Sequence, residues 1–371
     1  MRLRRLVAET FRNLAPLDLD VDVPFVVFHG ENAQGKTNLL ESVHWLCTLK
    51  PLRGRRVTEL VQWGAEGCAV AGWVEHRGST AHHRVDLTRE GRTARLDGKR
   101  VNDLEAYFAG VRAITFVPQD GHIVSGEPAR RRNWIDRAAF TAAPAHLSRV
   151  RQVRQVLSQK AAALRREDTD RAVLDVLDEQ LAAHGAALVD RRVRLLEELL
   201  PHVQALYGVI SGERGSTTLQ MRTAAKGETL ALRTDALRAR LAEVRPRELD
   251  RCTTLAGPQL DDVKVLLDGR PARTYGSRGQ IRSLVLALKL AEMVAARARG
   301  EVPLFLIDDL SSELDQGRTT RLVGVLRELG AQVLLTTTDP APLAAVLPRR
   351  ETRLIAVRGG IAAVEPGPAG G

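Results

Sequence analysis

The sequence predicts an α/β fold: a mixed sheet carrying a phosphate-cradling loop (P-loop), an antiparallel β subdomain, and an inserted helical arm domain. Three observations predict it. An apolar run, PFVVFHG, leads into GENAQGKTN and then into LLESVHWLC, which has helical spacing. Residues 69–101 alternate apolar and polar through CAVAGWVEH, HHRVDLTREG and TARLDGKRV. Far downstream a second apolar strand, VPLFLIDDL, closes on two carboxylates, Asp308 and Asp309.

The elements follow in order. The first ~25 residues give two strands around FRNLAPLD, and this start is a strand rather than a signal peptide. PFVVFHG is a buried strand, and LLESVHWLC is the helix after the loop. The alternating segments pair antiparallel, with a hairpin signal at Asp97-Gly98. VRAITFVPQD is a further apolar strand ending at Pro118. From about Pro128 to Pro246 the pattern is mostly helical, with Leu147, Val150, Val153, Leu157, Ala161 and Leu164 at intervals of three and four. REDTD breaks the run, and Thr169 or Asp170 caps the next helix. Leu174 to Leu199 continue an apolar stripe, so two helices form an antiparallel arm. DDVKVLLDGRPA carries a second hairpin signal at Asp268-Gly269, followed by a long helix, IRSLVLALKLAEMVAARA. VPLFLIDDL and AQVLLTTTD are continuous and apolar, as parallel strands are. RLIAVRGGIAAVEP is a closing hairpin at Gly359-Gly360, and the tail EPGPAGG is frayed. The boundaries expected are 1–127 and 247–371 for the two parts of the sheet domain and 128–246 for the arm.

The spacing G-x-x-x-x-G-K-[ST] between strand and helix is that of a nucleoside triphosphate site. Gly30 and Gly35 let the backbone of Gly30, Glu31, Asn32, Ala33, Gln34 and Gly35 curl and aim N–H groups at phosphate. Lys36 supplies a point charge, Thr37 a hydroxyl for Mg²⁺, and the helix start through Asn38 a positive dipole end. Asp308 is placed to hold Mg²⁺, and Asp309 to polarise the attacking water. Lys36 and Asp308 must meet at one nucleotide although most of the chain lies between them, so the sheet is assembled from both ends. A small GTPase is excluded, and the guanine-reading N/T-K-x-D run is absent, so the nucleotide expected is ATP. Ser277, Gly279 and Gln280 open the long helix; Ser at a helix start is an anion site or an ordinary N-cap.

Composition bounds the partners. The 371 residues are 44% hydrophobic, which fits a globular chain, and no apolar run approaches the ~20 residues of a membrane span. Three scattered cysteines, Cys47, Cys68 and Cys252, fit a reducing cytoplasm. The adjacent His82 and His83 would point to opposite faces of a strand, a poor metal pair. Net charge is +10, and from Arg130 to Arg166 ten Arg or Lys stand against one acid, Asp136. That imbalance favours nucleic acid over a merely solvated face, with Arg130, Arg131, Arg132, Arg151 and Arg154 as the phosphate contacts.

With these motifs the chain resembles the ABC-type ATPase heads, and within them the RecF family of bacterial recombination and repair proteins. The resemblance runs through ETFRNL, GENAQGKTNLLES, TFVPQD, GEPARRRNWID, GPQLDDVKVLLDGRPARTYGSRGQ and LIDDLSSELD. It implies that Ser277, Arg278, Gly279 and Gln280 form the signature loop, capping the γ-phosphate held by another subunit. It implies that Gln119 is the Q-loop residue near Mg²⁺ and the attacking water, that Arg12 joins the nucleotide site, and that Ser312, Glu313, Leu314 and Asp315 form the D-loop. Arg278 stands where the family more often has Gln, Gln259-Leu260 where it has His-Arg, and Gln119 where it has Glu. TTTD has Thr where transporter subunits carry a switch His, which implies slow hydrolysis. The resemblance further implies an ATP-induced homodimer on double-stranded DNA at single-strand/duplex junctions. It also implies help with RecO and RecR in loading RecA, in repair, replication restart and the SOS response. The rival is another SMC-like head acting as a structural DNA clamp. True SMC arms are far longer, and no C-x-x-C hook is present.

Overall fold

A computed structural model describes residues 1–54, 56–166 and 170–365, with the side chain of Glu313 excepted. Thr169 and the tail after Glu365 lie outside the described residues. The chain divides into two compact units, 1–120 with 292–371, and 121–291.

The first unit holds two sheets. β1 (Arg2–Glu9), β2 (Leu17–Asp20), β4 (Cys68–His76), β5 (Ser79–Thr88), β6 (Gly91–Leu96) and β7 (Lys99–Arg100) form an antiparallel sheet in the order β2-β1-β4-β5-β6-β7. The β6–β7 turn is Asp97-Gly98, both at positive φ (49° and 78°), the conformation that matches strand twist in a two-residue hairpin. His82 stacks on Trp73 with centroids 4.4 Å apart, while its neighbour His83 is buried edge-on to Tyr107.

β3 (Phe25–His29) belongs to the other sheet, with β8 (Ala113–Phe116), β12 (Leu304–Ile307), β13 (Val333–Thr337), β14 (Thr352–Arg358) and β15 (Ile361–Val364). The order is β15-β14-β3-β13-β12-β8, parallel throughout except for β15. β12 and β13 are buried at every position, which is why their sequences run continuously apolar. Buried Gln332, just before β13, joins the two sheets. Its Oε1 accepts from Leu3 N at 2.6 Å and its Nε2 donates to Val21 O at 2.7 Å. Helices α1 (Lys36–Thr48), α2 (Leu104–Gly110), α10 (Leu310–Glu313), α11 (Gln316–Leu329) and α12 (Ala341–Ala344) complete this unit.

The second unit contains α3 (His122–Ser125), α4 (Pro128–Ala142), α5 (His146–Ala163), α6 (Arg171–Ser211), α7 (Leu230–Arg251), α8 (Ala272–Tyr275) and the start of α9 (Arg278–Ala298). Asp170 caps α6, its side chain accepting from Ala172 N. Two features differ from the sequence-based expectation. The arm packs three helices rather than two, because Leu237, Leu241 and Val244 of α7 join Val153, Val156, Leu174, Leu181 and Leu188 of α5 and α6 in one core. Residues 217–222 form a strand, β9, inside the stretch expected to be helical; it pairs with β10 (Asp262–Leu267), which also pairs with β11 (Arg270–Pro271). α7 continues through Pro246, so that proline ends no element.

Asp261 and Asp262 of the GPQLDD run fasten this sheet to the helices. Arg131 donates twice to Asp262, at 2.6 and 3.1 Å. Arg192 pairs with Asp136 through two 2.8 Å hydrogen bonds and reaches Asp261 at 3.3 Å. Burial works against charge on Asp136, but His146 and Arg192 hold its carboxyl down to about 2. Burial pushes Asp261 up to about 6 against the opposing pull of Arg192. Among the described residues no helix is long and apolar enough to cross a membrane.

Candidate nucleotide-binding site

The loop after β3 has the conformation its glycines permit. Gly30 and Gly35 sit at φ 145° and 110°. A Cβ on Gly30 would lie 2.4 Å from Val357 O, and one on Gly35 would meet Asn13 at 3.1 Å. α1 then starts with no side-chain cap and no acid in its first turn. Its first N–H groups therefore face the loop cavity with the positive end of the helix dipole. Lys36 folds back, donating to Gly30 O at 2.6 Å and Glu31 O at 2.7 Å. Burial lowers its pKa, against the opposing charges of Asp309 and Asp308.

The distant carboxylates meet this loop. Fully buried Asp308 accepts from Thr37 Oγ1 at 2.8 Å and from Thr336 Oγ1 at 2.9 Å. Asp309 follows at φ 55°; its backbone N–H donates to Thr336 Oγ1 and its carboxylate accepts from Ser312 Oγ at 2.6 Å. Residues 32–38, Arg53, Pro118, Asp309 and Thr336 line a cavity of about 300 Å³. That is the low end of the ligand-pocket range.

Sequence reasoning missed Arg53. Its guanidinium donates to Asp308 Oδ2 at 2.5 Å and to Thr37 Oγ1 at 3.1 Å, so a cation already sits between the two groups expected to hold Mg²⁺. Buried Glu41 of α1 sets its position. One Glu41 oxygen accepts from Leu52 N and Arg53 N, at 2.9 and 3.0 Å. The basic run LRGRR was a signal, but only the fold brings it to Asp308.

Other expected residues play different parts here. Arg12 is committed to Glu41, at 2.9 and 3.1 Å, and does not line the cavity. The Gln34 side chain accepts from Gly359 N at 2.6 Å, bracing the closing hairpin. Asn38 donates to Asn13. Gln119 lies on the turn after β8, and its neighbour Pro118, not Gln119, lines the cavity. Asp315 caps α11 through Arg318 N. Ser277 and Gln280, in the second unit, form a reciprocal cap at the start of α9: Gln280 N donates to Ser277 Oγ and Ser277 N to Gln280 Oε1.

The arginine set divides. Arg130, Arg151 and Arg154 are exposed. Arg131 is not available for DNA: it is buried in its pair with Asp262, because an unpaired guanidinium there would be costly. Arg132 donates to Asp261 O at 2.7 Å.

Comparison with known proteins agrees with this geometry. The model of the RecF/RecN/SMC N terminal domain matches residues 2–358. This chain belongs to the RecF family. A "DNA replication and repair protein RecF" of Myxococcus xanthus is 41% identical over 380 residues, covering all of both chains. One from Anaeromyxobacter sp. strain K is 43% identical over 347 residues, 91% of this chain and 93% of that one. Among solved structures, the recombination mediator protein RecF-ATPrS in the RecFOR pathway aligns with TM-score 0.88 at 26% identity, covering 98% of each chain. The RecF-ATP form aligns at 0.87. An Smc head bound to the C-winged helix domain of ScpA, at 13% identity and TM-score 0.58, shares the fold. The chain therefore has the ABC-type ATPase head of RecF and SMC proteins.

Proposed function

We propose that this protein is an ATP-dependent DNA-binding repair protein. In this reading ATP joins two copies on duplex DNA near single-strand gaps, where they act with RecO and RecR in loading RecA. The observation that carries the reading is the meeting of Thr37 and Asp308 at 2.8 Å across the length of the chain. The likeness to RecF-ATP supports the choice of nucleotide.

The N–H groups at the start of α1 take the β- and γ-phosphates, and Lys36 swings from the Gly30 and Glu31 carbonyls onto them. The donor set fits Mg²⁺, because buried Asp308 with Thr37 already holds the Arg53 guanidinium. When bound, the ion neutralises charge developing on the transferred phosphoryl group. Arg53 then leaves Asp308 for the phosphates. Asp309, held by Ser312, orients the attacking water, with Gln119 brought in by nucleotide. A second subunit supplies Ser277, Gly279 and Gln280, which cap the γ-phosphate. Hydrolysis is slow and DNA-stimulated, so the reaction works as a switch that opens the dimer. Exposed Arg130, Arg151 and Arg154 carry the duplex.

Light scattering with ATP, without ATP, and with ATP plus gapped duplex tests the reading. The wild type dimerises with ATP, and Lys36→Ala neither binds ATP tightly nor dimerises. ATP affinity unchanged by Lys36→Ala would refute the phosphate-loop assignment.

A further inference from the structure

The outer edge of β9 carries a second site. β9 ends the three-stranded sheet in the order β11-β10-β9, and among the described residues no strand pairs with its free edge. A cavity of about 600 Å³ lies against it, lined by the five consecutive residues 219–223. Successive side chains of a strand point to opposite faces. An unbroken run of lining residues therefore places the cavity along the edge, where backbone N–H and C=O groups point. Val193 and Leu196 of α6 give it an apolar wall.

The charge around this groove is one-sided: Arg222, Lys226, Arg233 and Lys264 stand against a single carboxylate, Glu197. Arg222, Lys226 and Lys264 are exposed. Arg233 is only 8% exposed, and its Nε makes no hydrogen bond. It lies 3.5 Å from Asp190, which Arg194 already holds at 2.9 Å.

We propose that this groove docks an extended acidic peptide segment of a partner protein, which adds to the free edge of β9 as a further strand. Main-chain hydrogen bonds along an edge give affinity, and side chains at alternate positions give specificity. Acidic residues would meet the three exposed cations, Arg222, Lys226 and Lys264, and apolar residues the Val193–Leu196 wall. A nucleic-acid backbone fits less well: phosphates only accept hydrogen bonds, so they would leave the edge carbonyls of β9 without partners. Basic residues also deter a second copy of the same edge from pairing with it. This site is separate from the nucleotide cavity and does not depend on the reading of that cavity.

The test selects peptides about eight residues long, near strand length, from a random library on the full chain. Counter-selection uses the Arg222→Glu/Lys226→Glu variant, in which both changed residues are exposed. The best peptide is then measured by fluorescence anisotropy. The expected result is enrichment of Asp and Glu, with binding to the variant weaker by about tenfold or more, as expected when a charge-assisted interaction is removed. Lys264→Glu, as an independent variant, should weaken it in the same direction. Methylating alternate backbone amides of the peptide should abolish binding in one phase and spare it in the other. No acidic enrichment, unchanged binding to both variants, or tolerance of both methylation phases would mean a charge-guarded edge only and overturn the proposal. So would displacement of the peptide by a duplex oligonucleotide whose own affinity falls equally in the variants, which would make the groove a phosphate track.

Discussion

At the scale of single residues, Arg53 occupies the position beside Asp308 that is proposed for the metal. Arg53 neutralises the buried carboxylate here, and Asp308 with Thr37 would hold the metal of a bound Mg·nucleotide in its place. Arg53→Ala should therefore destabilise the nucleotide-free protein by about 1–3 kcal/mol, the cost of leaving a buried acceptor poorly satisfied. Mg·ATP should restore most of that stability. Urea unfolding with and without Mg·ATP measures both, and equal destabilisation in the two conditions would count against the exchange. Asp309→Asn should keep ATP affinity and lower hydrolysis by roughly 10²–10⁴, the usual contribution of a positioned base. Normal turnover in that variant would transfer the role to Gln119 or Glu313. Lys36, Thr37 and Asp308 were legible because their chemistry needs a fixed local spacing. Arg53 was not, because its place is set by Glu41, through backbone hydrogen bonds that no pattern records. Arg131 misled for the converse reason: a basic run on a helix contains inward positions, and its partner Asp262 lies 131 residues away.

At the scale of elements, α4 and α5 follow the strand that ends before Pro118, so their exposed arginines lead along the chain from the nucleotide-bearing sheet domain into the arm. Arg151→Glu with Arg154→Glu should weaken duplex binding for all sequences alike. The plot of log K against log salt should become flatter, by about 0.9 for each phosphate no longer neutralised. ATP binding without DNA should not change. A salt slope unaltered with ATP bound would mean that these arginines solvate the arm or face a protein. The hairpins were legible because Asp97-Gly98, Asp268-Gly269 and Gly359-Gly360 need positive φ at both turn residues, and each has it. β9 was not: TTLQMR is short, lies among helix formers, and becomes a strand only by pairing with β10, about forty residues on.

At the scale of the whole molecule, the proposed function has a second copy finish the nucleotide site, and Ser277 tests it. Ser277→Arg should leave ATP binding to a single copy intact, because the phosphate loop is untouched. It should abolish ATP-induced dimers by putting a large cation where the partner's γ-phosphate arrives. Light scattering decides it, and normal dimerisation would leave Ser277 as the N-cap it forms in this structure. The assembly of the sheet from both chain ends was legible from the distance between Lys36 and Asp308. The width of the excursion was not. Asp261, Asp262 and the β9–β10 pairing tie residues beyond Pro246 to the helices, so the compact unit extends to residue 291.

The position of β3 has a consequence for how the protein is made. Its sheet neighbours are β13 and β14, which begin at residues 333 and 352, whereas β3 ends at residue 29. During synthesis, more than 300 residues (333 − 29 = 304) must be added before the strand leading into the phosphate loop gains its first partner in that sheet. At ribosomal speeds of about 5–20 residues per second, that is roughly 15–60 s with both edges of an apolar strand unpaired. For most of that interval Asp308, the partner of Thr37, has not been made either, and an apolar strand with open edges is a template for aggregation. A translational pause before residue 333 would lengthen that exposure, whereas one after β14 has emerged would not.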